Sequence, residues 1–168
     1  PERPIRLIVS WPPGGTVDVN ARILGPAVSK TIGQRVVVDN RPGGGGIVSS
    51  EIVARSPPDG PTLLMAFTSH VTNPSLYPKL PYDTVSDFSP IGRIGFAPYV
   101  LVAHPSLPVK TVADLVSLAK AKPGELNYGT SGTGNSPHLA TELFKSMTGV
   151  QIVRINYKGA VRVANAMI

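Results

Sequence analysis

No cysteine occurs in the 168 residues. That excludes thiolate catalysis, disulfides and Cys-ligated zinc, and it is compatible with an oxidising compartment, where a stray thiol is a hazard. Charge is sparse as well: Asp, Glu, Lys and Arg make up 15% of the chain, well below the roughly 25% of ordinary globular domains. The ten carboxylates are dispersed, so no acid/base pair stands out. Basic residues exceed them and give a net charge of +6. There is no Lys/Arg run and no interleaving of basic with aromatic residues, which argues against nucleic acid as a partner. A solvated basic surface, or attraction of small anions, remains. No apolar run approaches the roughly 20 residues that span a bilayer. No secretion signal is visible, because Pro1-Glu2-Arg3-Pro4 leads straight into a strand. An exported protein with its signal removed looks like this, and so does a cytosolic one. Three scattered histidines make no metal site, and nothing in the pattern requires a cofactor.

What is present is a globular composition, 42% hydrophobic, with Gly 17 and Pro 18 spread between periodic segments. The pattern alternates strand and helix. A strand is expected over 5–9, then a helix over 17–32 capped by Thr16 or Asp18 and ended by Gly33. A buried strand over 36–38, a helix over 47–54 and a strand over 62–67 follow. Residues 68–87 read as irregular, and 88–96 and 99–103 as strand-like. Thr111 caps a helix to about 121. A strand over 126–129, a helix over 137–147, a strand over 152–155 and a helical start over 160–168 complete the chain. Strands that are apolar throughout and separated by helices imply a mostly parallel α/β sheet covered on both faces. A second series begins near Tyr99, so the expected division is 1–97 and 98–168. The second series stops inside a helix, which reads as an incomplete domain.

Four segments carry chemistry. Trp11-Pro12-Pro13-Gly14-Gly15-Thr16-Val17-Asp18 joins a strand to a helix. Its glycines free backbone N–H groups where the helix dipole favours an anion; the alternative is a plain turn with Asp18 in the first helical turn. No Gly-Lys-Ser/Thr and no G-x-G-x-x-G occurs. The loop from Gly129 to Ser136 (Ser131, Gly132, Gly134, Asn135 and Ser136 among its residues) sits at another such junction and offers several donors in little space, a cradle for a carboxylate or phosphate, or else a flexible cap. It misses G-x-S-x-G at Thr133. Ser69 and His70 follow a third strand, where an open α/β sheet binds ligands, although a histidine there is also a common structural residue. His104 and His138 read as structural. The run Arg41-Pro42-Gly43-Gly44-Gly45-Gly46 implies close approach of backbone, a hinge, or a flexible surface loop. An α/β hydrolase or phosphate-handling enzyme working through Ser131 is the competing class, and it needs a base within hydrogen-bond reach of Ser131 or Ser69.

The order of these motifs resembles the Bug-type periplasmic receptors of tripartite tricarboxylate transporters. The likeness runs through Pro4-Ile5-Arg6-Leu7-Ile8-Val9, Pro12 to Asp18 and Val36-Val37-Val38-Asp39-Asn40-Arg41-Pro42-Gly43. It continues through Pro58-Asp59-Gly60-Pro61-Thr62, Asn73-Pro74-Ser75-Leu76-Tyr77, Leu80-Pro81-Tyr82-Asp83, Lys122-Pro123-Gly124-Glu125-Leu126-Asn127-Tyr128-Gly129 and Tyr157-Lys158-Gly159. The family has a second glycine where this chain has Ala160. The resemblance implies a two-lobed type II periplasmic-binding-protein fold, of which this chain looks like an N-terminal fragment with lobe two incomplete. It implies a periplasmic receptor and not an enzyme. The ligand is then a dicarboxylate, tricarboxylate, acidic amino acid or aromatic acid, held between lobes and handed to membrane transporter subunits. Gly14, Gly15, Thr16, Asp18, Ser69 and His70 are then expected to face the ligand from lobe one, with Trp11 beside them, and Ser131 to Ser136 from lobe two. An incomplete lobe is also expected to self-associate.

Overall fold

The computed structural model describes residues 3–96 and 98–167. The chain divides into two compact units, Pro1–Ile91 and Gly92–Ile168. The division expected at 97/98 touches Ala97, which lies outside the described residues; the units divide a few residues earlier.

Unit 1 is built as β1 (Ile5–Val9), α1 (Thr16–Ile32), β2 (Val36–Asn40), a 3-10 turn (Gly44–Gly46), α2 (Ile47–Ala54), β3 (Thr62–Met65) and α3 (Thr68–Leu76). Its three strands are parallel in the order β2-β1-β3. β1 is central, and Ile8 and Val9 are both fully buried. Successive strand residues point to opposite faces, so both faces of this sheet are covered. On one side Leu7, Val9 and Met65 pack with Val17 and Ala21 of α1, each large apolar side chain contributing about 1.5–3 kcal/mol. β2 is an edge, and its Val36 and Val38 are half-buried and its Val37 exposed, rather than buried as expected. α1 ends as the sequence suggests, on Gly33 at φ 69°, whose N–H returns to the Ser29 carbonyl.

Unit 2 contains α4 (Val112–Ala121), β4 (Asn127–Thr130), α5 (Ser136–Thr148), β5 (Val153–Asn156) and the short α6 (Ala160–Asn165). β4 and β5 pair in parallel, with Tyr128 opposite Arg154. Thr111 caps α4 in a full capping box with Asp114. α6 is held because Gly129 has no side chain: a Cβ there would stand 2.7 Å from Val163 Cγ1.

Three local expectations fail for identifiable reasons. Residues 68–76 are helical, not irregular. β-branched residues, Asn73 and Pro74 make this a poor helix former, but tertiary contacts override propensity, since Ser69 and Asn73 are both buried. Residues 88–96 and 99–103 form no strand. Their alternation fits a pleated surface, but a strand needs a ladder partner and none is present among the described residues; Phe96 and Val100 stand 88% and 79% exposed. The helix begun at Ala160 ends at Asn165, and Ile168 lies outside the described residues.

Candidate functional site

The carboxyl ends of β1, β2 and β3 each lead toward a helix N-terminus, so three loops gather at one edge of the unit 1 sheet. The glycine run supplies the middle loop. Gly43, Gly44, Gly45 and Gly46 all have positive φ, a backbone that L side chains adopt only at a cost. Gly46 also comes close to the other two loops, for a Cβ there would lie 3.3 Å from Ser69 Oγ and 3.5 Å from Ser10 Cβ. Beneath it, the Ser49 hydroxyl donates to the Gly46 carbonyl at 2.8 Å and its Oγ lies 2.8 Å from Ser10 Oγ. Asn73 Nδ2 donates to the Gly45 carbonyl, while its Oδ1 is buried without a partner.

The first loop is held by Asp18, which is buried. Its Oδ2 accepts the Gly14 N–H at 2.9 Å and its Oδ1 accepts Asn40 Nδ2 at 2.9 Å. Arg22 Nε donates to both oxygens, at 3.0 and 2.9 Å. The Arg22 hydrogen bond outweighs the cost of burial and, with Gly14 and Asn40, brings the carboxyl down to about 2. The Asp18 carboxylate and the Gly14 N–H, both expected to face a ligand, are hydrogen-bonded to each other here. The N-cap of α1 is Gly15, without any side-chain cap, in place of the expected Thr16 or Asp18. The amides of Gly15, Thr16 and Val17 at the first turn enter no hydrogen bond among the described residues. Trp11 packs edge-on to Phe67, with centroids 6.4 Å apart, and its Nε1 is buried without an acceptor.

Ser69 is buried in the first turn of α3. His70 is a different matter. Its Nδ1 is 3.0 Å from Ser50 Oγ, and its ring stacks on Tyr82 and meets Phe88 edge-on. Burial lowers its pKa, partly offset by a hydrogen bond to the Thr84 backbone. The ring thus organises residues 82–88 through its contacts with Tyr82 and Phe88.

In unit 2 the loop after β4 is organised by Asn135 and His138. Asn135 is buried; its Oδ1 caps α5 by accepting the His138 N–H at 3.1 Å, and its Nδ2 donates to Ser131 Oγ at 2.8 Å. Gly132 and Gly134 take positive φ. The Gly134 N–H donates to His138 Nδ1 at 3.1 Å, and Arg154 Nη1 lies 2.8 Å from His138 Nε2. Ser136 opens α5. The partner on Ser131 is thus an amide, and the described hydrogen bonds place no base on Ser131 or Ser69.

Arg22, Asn40, Asn73, His138 and Arg154 escaped the sequence reading as parts of the site. A signal existed for the helix-borne acceptors: a glycine followed four residues later by a side-chain acceptor recurs at both strand-to-helix junctions, Gly14 with Asp18 and Gly134 with His138.

Residues 20–168 match the family described as "Tripartite tricarboxylate transporter family receptor". Among curated relatives, the protein BugT of Bordetella pertussis is 41% identical over 162 residues, which cover 95% of this chain and 50% of that protein. Among solved structures, R. palustris Rpa4515 with adipate superposes with a TM-score of 0.88 at 38% identity, covering 99% of this chain and 56% of the other. MatC from Rhodopseudomonas palustris with bound malate gives a TM-score of 0.86 at 26% identity, covering 99% and 57%. The chain spans about half the length of the curated relatives it matches. No helix among the described residues is long and apolar enough to cross a membrane.

Proposed function

Since the chain belongs to the receptor family of tripartite tricarboxylate transporters, we propose that it serves a periplasmic solute-binding receptor, not an enzyme, which captures a small organic dicarboxylate for membrane transporter subunits. The observation that carries this reading is the set of unused first-turn amides at Gly15, Thr16 and Val17 of α1. Backbone N–H groups at a helix N-terminus suit an anion without a cationic side chain. The buried hydroxyl of Ser69 and the indole N–H of Trp11 add donors at the same sheet edge in unit 1. In unit 2 the loop Ser131, Gly132, Gly134, Asn135 and Ser136 offers polar and backbone groups of its own. A dicarboxylate is favoured because two of the similar structures hold adipate and malate. Asp18 and His70 act in this reading as supports for the loops.

Calorimetry with adipate and with malate tests it. Gly15 has φ −79°, which proline adopts readily, so Gly15→Pro removes one donor while keeping the backbone. The expected result is a loss of affinity of about tenfold or more with thermal stability unchanged. Equal affinity in the variant and the parent would overturn the reading. Self-association belongs to the same proposal: Leu143, Met147, Val153, Ile155 and Val161 of unit 2 are exposed, and such apolar surface favours a partner. Light scattering is expected to show a dimer or larger species at micromolar concentration, against which a stable monomer would count.

A further inference from the structure

The two loop clamps share one geometry. In α1 the N-cap is Gly15 and the third helical residue, Asp18, accepts the N–H of Gly14. In α5 the N-cap is Asn135 and the third helical residue, His138, accepts the N–H of Gly134. Both glycines have positive φ, 82° and 73°. Each acceptor is also engaged by an arginine, Arg22 in unit 1 and Arg154 in unit 2. The chemistry differs, because one acceptor is a carboxylate and the other an imidazole. A carboxylate beside arginine stays an acceptor across the physiological range, whereas an imidazole stays one only while neutral.

We propose that His138 is a positioning residue for the unit 2 loop, holding it in shape only as the neutral imidazole, so that acid releases the carboxylate that the loop helps to hold. This rests on the ligand reading of the preceding subsection. The contacts of His138 carry the argument. Nδ1 meets the Gly134 N–H at 3.1 Å and Nε2 meets Arg154 Nη1 at 2.8 Å. Both neighbours are donors. A neutral ring offers them one lone pair; a protonated ring offers none and sets N–H against N–H on both sides. The groups around the ring agree. Arg154 on β5 and Lys145 on α5 oppose a second positive charge, and burial opposes it more than either, while Glu142 on α5 favours it. Glu142 is already engaged, accepting from Lys145 Nζ at 2.9 and 3.0 Å and from Tyr128 of β4 at 2.5 Å. The balance lowers the His138 pKa, so the clamp is formed at neutral pH and opens as the pH falls below the ordinary histidine range.

An NMR titration of the 168-residue chain between about pH 8 and about pH 4.5, spanning the histidine range, reads the imidazole of His138 and the amide of Gly134 together. The expected result is a shared midpoint. Arg154→Gln removes the opposing cation and is expected to move both midpoints upward together, while His138→Gln is expected to flatten the Gly134 response. Adipate affinity should fall along the same curve, by no more than about tenfold per pH unit, the limit for one proton. A Gly134 amide that ignores the titration of His138, an Arg154→Gln variant that leaves its midpoint in place, or adipate binding equally well at every pH would each overturn the proposal. Co-titration without adipate binding at any pH would leave the positioning role standing and overturn the dicarboxylate reading instead.

Discussion

Unit 1 holds its first loop with an ion, and unit 2 holds the corresponding loop with neutral groups. Asp18 gathers Gly14, Arg22 and Asn40 around a buried charge, whereas Asn135 and His138 hold Ser131 and Gly134 through an amide and an imidazole. The backbone task is the same in both places: fix a positive-φ glycine just before a helix so that the first-turn amides stay in position. The difference teaches that a loop's shape and its pH response are separable choices. A buried carboxylate gives a clamp that costs much to break and ignores pH until strong acid. An imidazole gives a weaker clamp that opens in milder acid, below the ordinary histidine range.

Asp18→Ala breaks the stronger clamp. It leaves the Gly14 N–H without its acceptor, takes one of two acceptors from the Asn40 amide and should destabilise unit 1 by about 3 kcal/mol. Urea unfolding followed by the fluorescence of Trp11, the single tryptophan, reports on unit 1; a loss under about 0.5 kcal/mol would mean that the charge is not what holds the loop. Acid makes the same test without a mutation. The folded pKa of Asp18 is lowered to about 2 from an ordinary value near 4, so the unfolded chain takes up the proton first. The stabilisation is complete above about pH 4 and is lost as the pH falls through about 2, amounting to about 2 kcal/mol. Trp11-detected stability that declines already between about pH 7 and about pH 5 would assign the response to another group. Gly46→Ala tests the middle loop. It forces an L side chain to φ 94° and toward Ser69 Oγ, and is expected to cost about 1–2 kcal/mol, seen as a lowered melting temperature. Asn135→Ala removes the cap of α5 and should cost about 1 kcal/mol. Its check is faster amide exchange at the start of α5, with the unit 1 amides unchanged.

The framework was legible because local rules and tertiary packing agree there. Ile5 to Val9, the Gly33 and Gly149 helix ends and the Thr111 cap follow from patterns within a few residues. α3 was not legible, since its stability comes from burying Ser69 and Asn73 against the glycine loop, contacts made across 20 residues or more. The apolar runs at 88–96 and 99–103 misled for the opposite reason: local pattern without a partner does not make a strand. The loops themselves stood out as glycine- and hydroxyl-rich strand-to-helix junctions. What each side chain does within them did not. Asp18 has the same residue type whether it faces a ligand or Arg22, and His70 reads the same in sequence whether it waits in a cleft or stacks on Tyr82. His138 looked structural, and it is the residue whose ring both Gly134 and Arg154 meet.

The partners of Asp18 have one further property, which concerns the order of synthesis. Gly14, Arg22 and Asn40 all lie between residues 14 and 40, ahead of the glycine run and Ser69 in the chain. The clamp can therefore close as soon as β2 has been made, before the glycine run or Ser69 exists. The clamp is then a pre-set template with its amides already aimed, on which the later loops settle one after another.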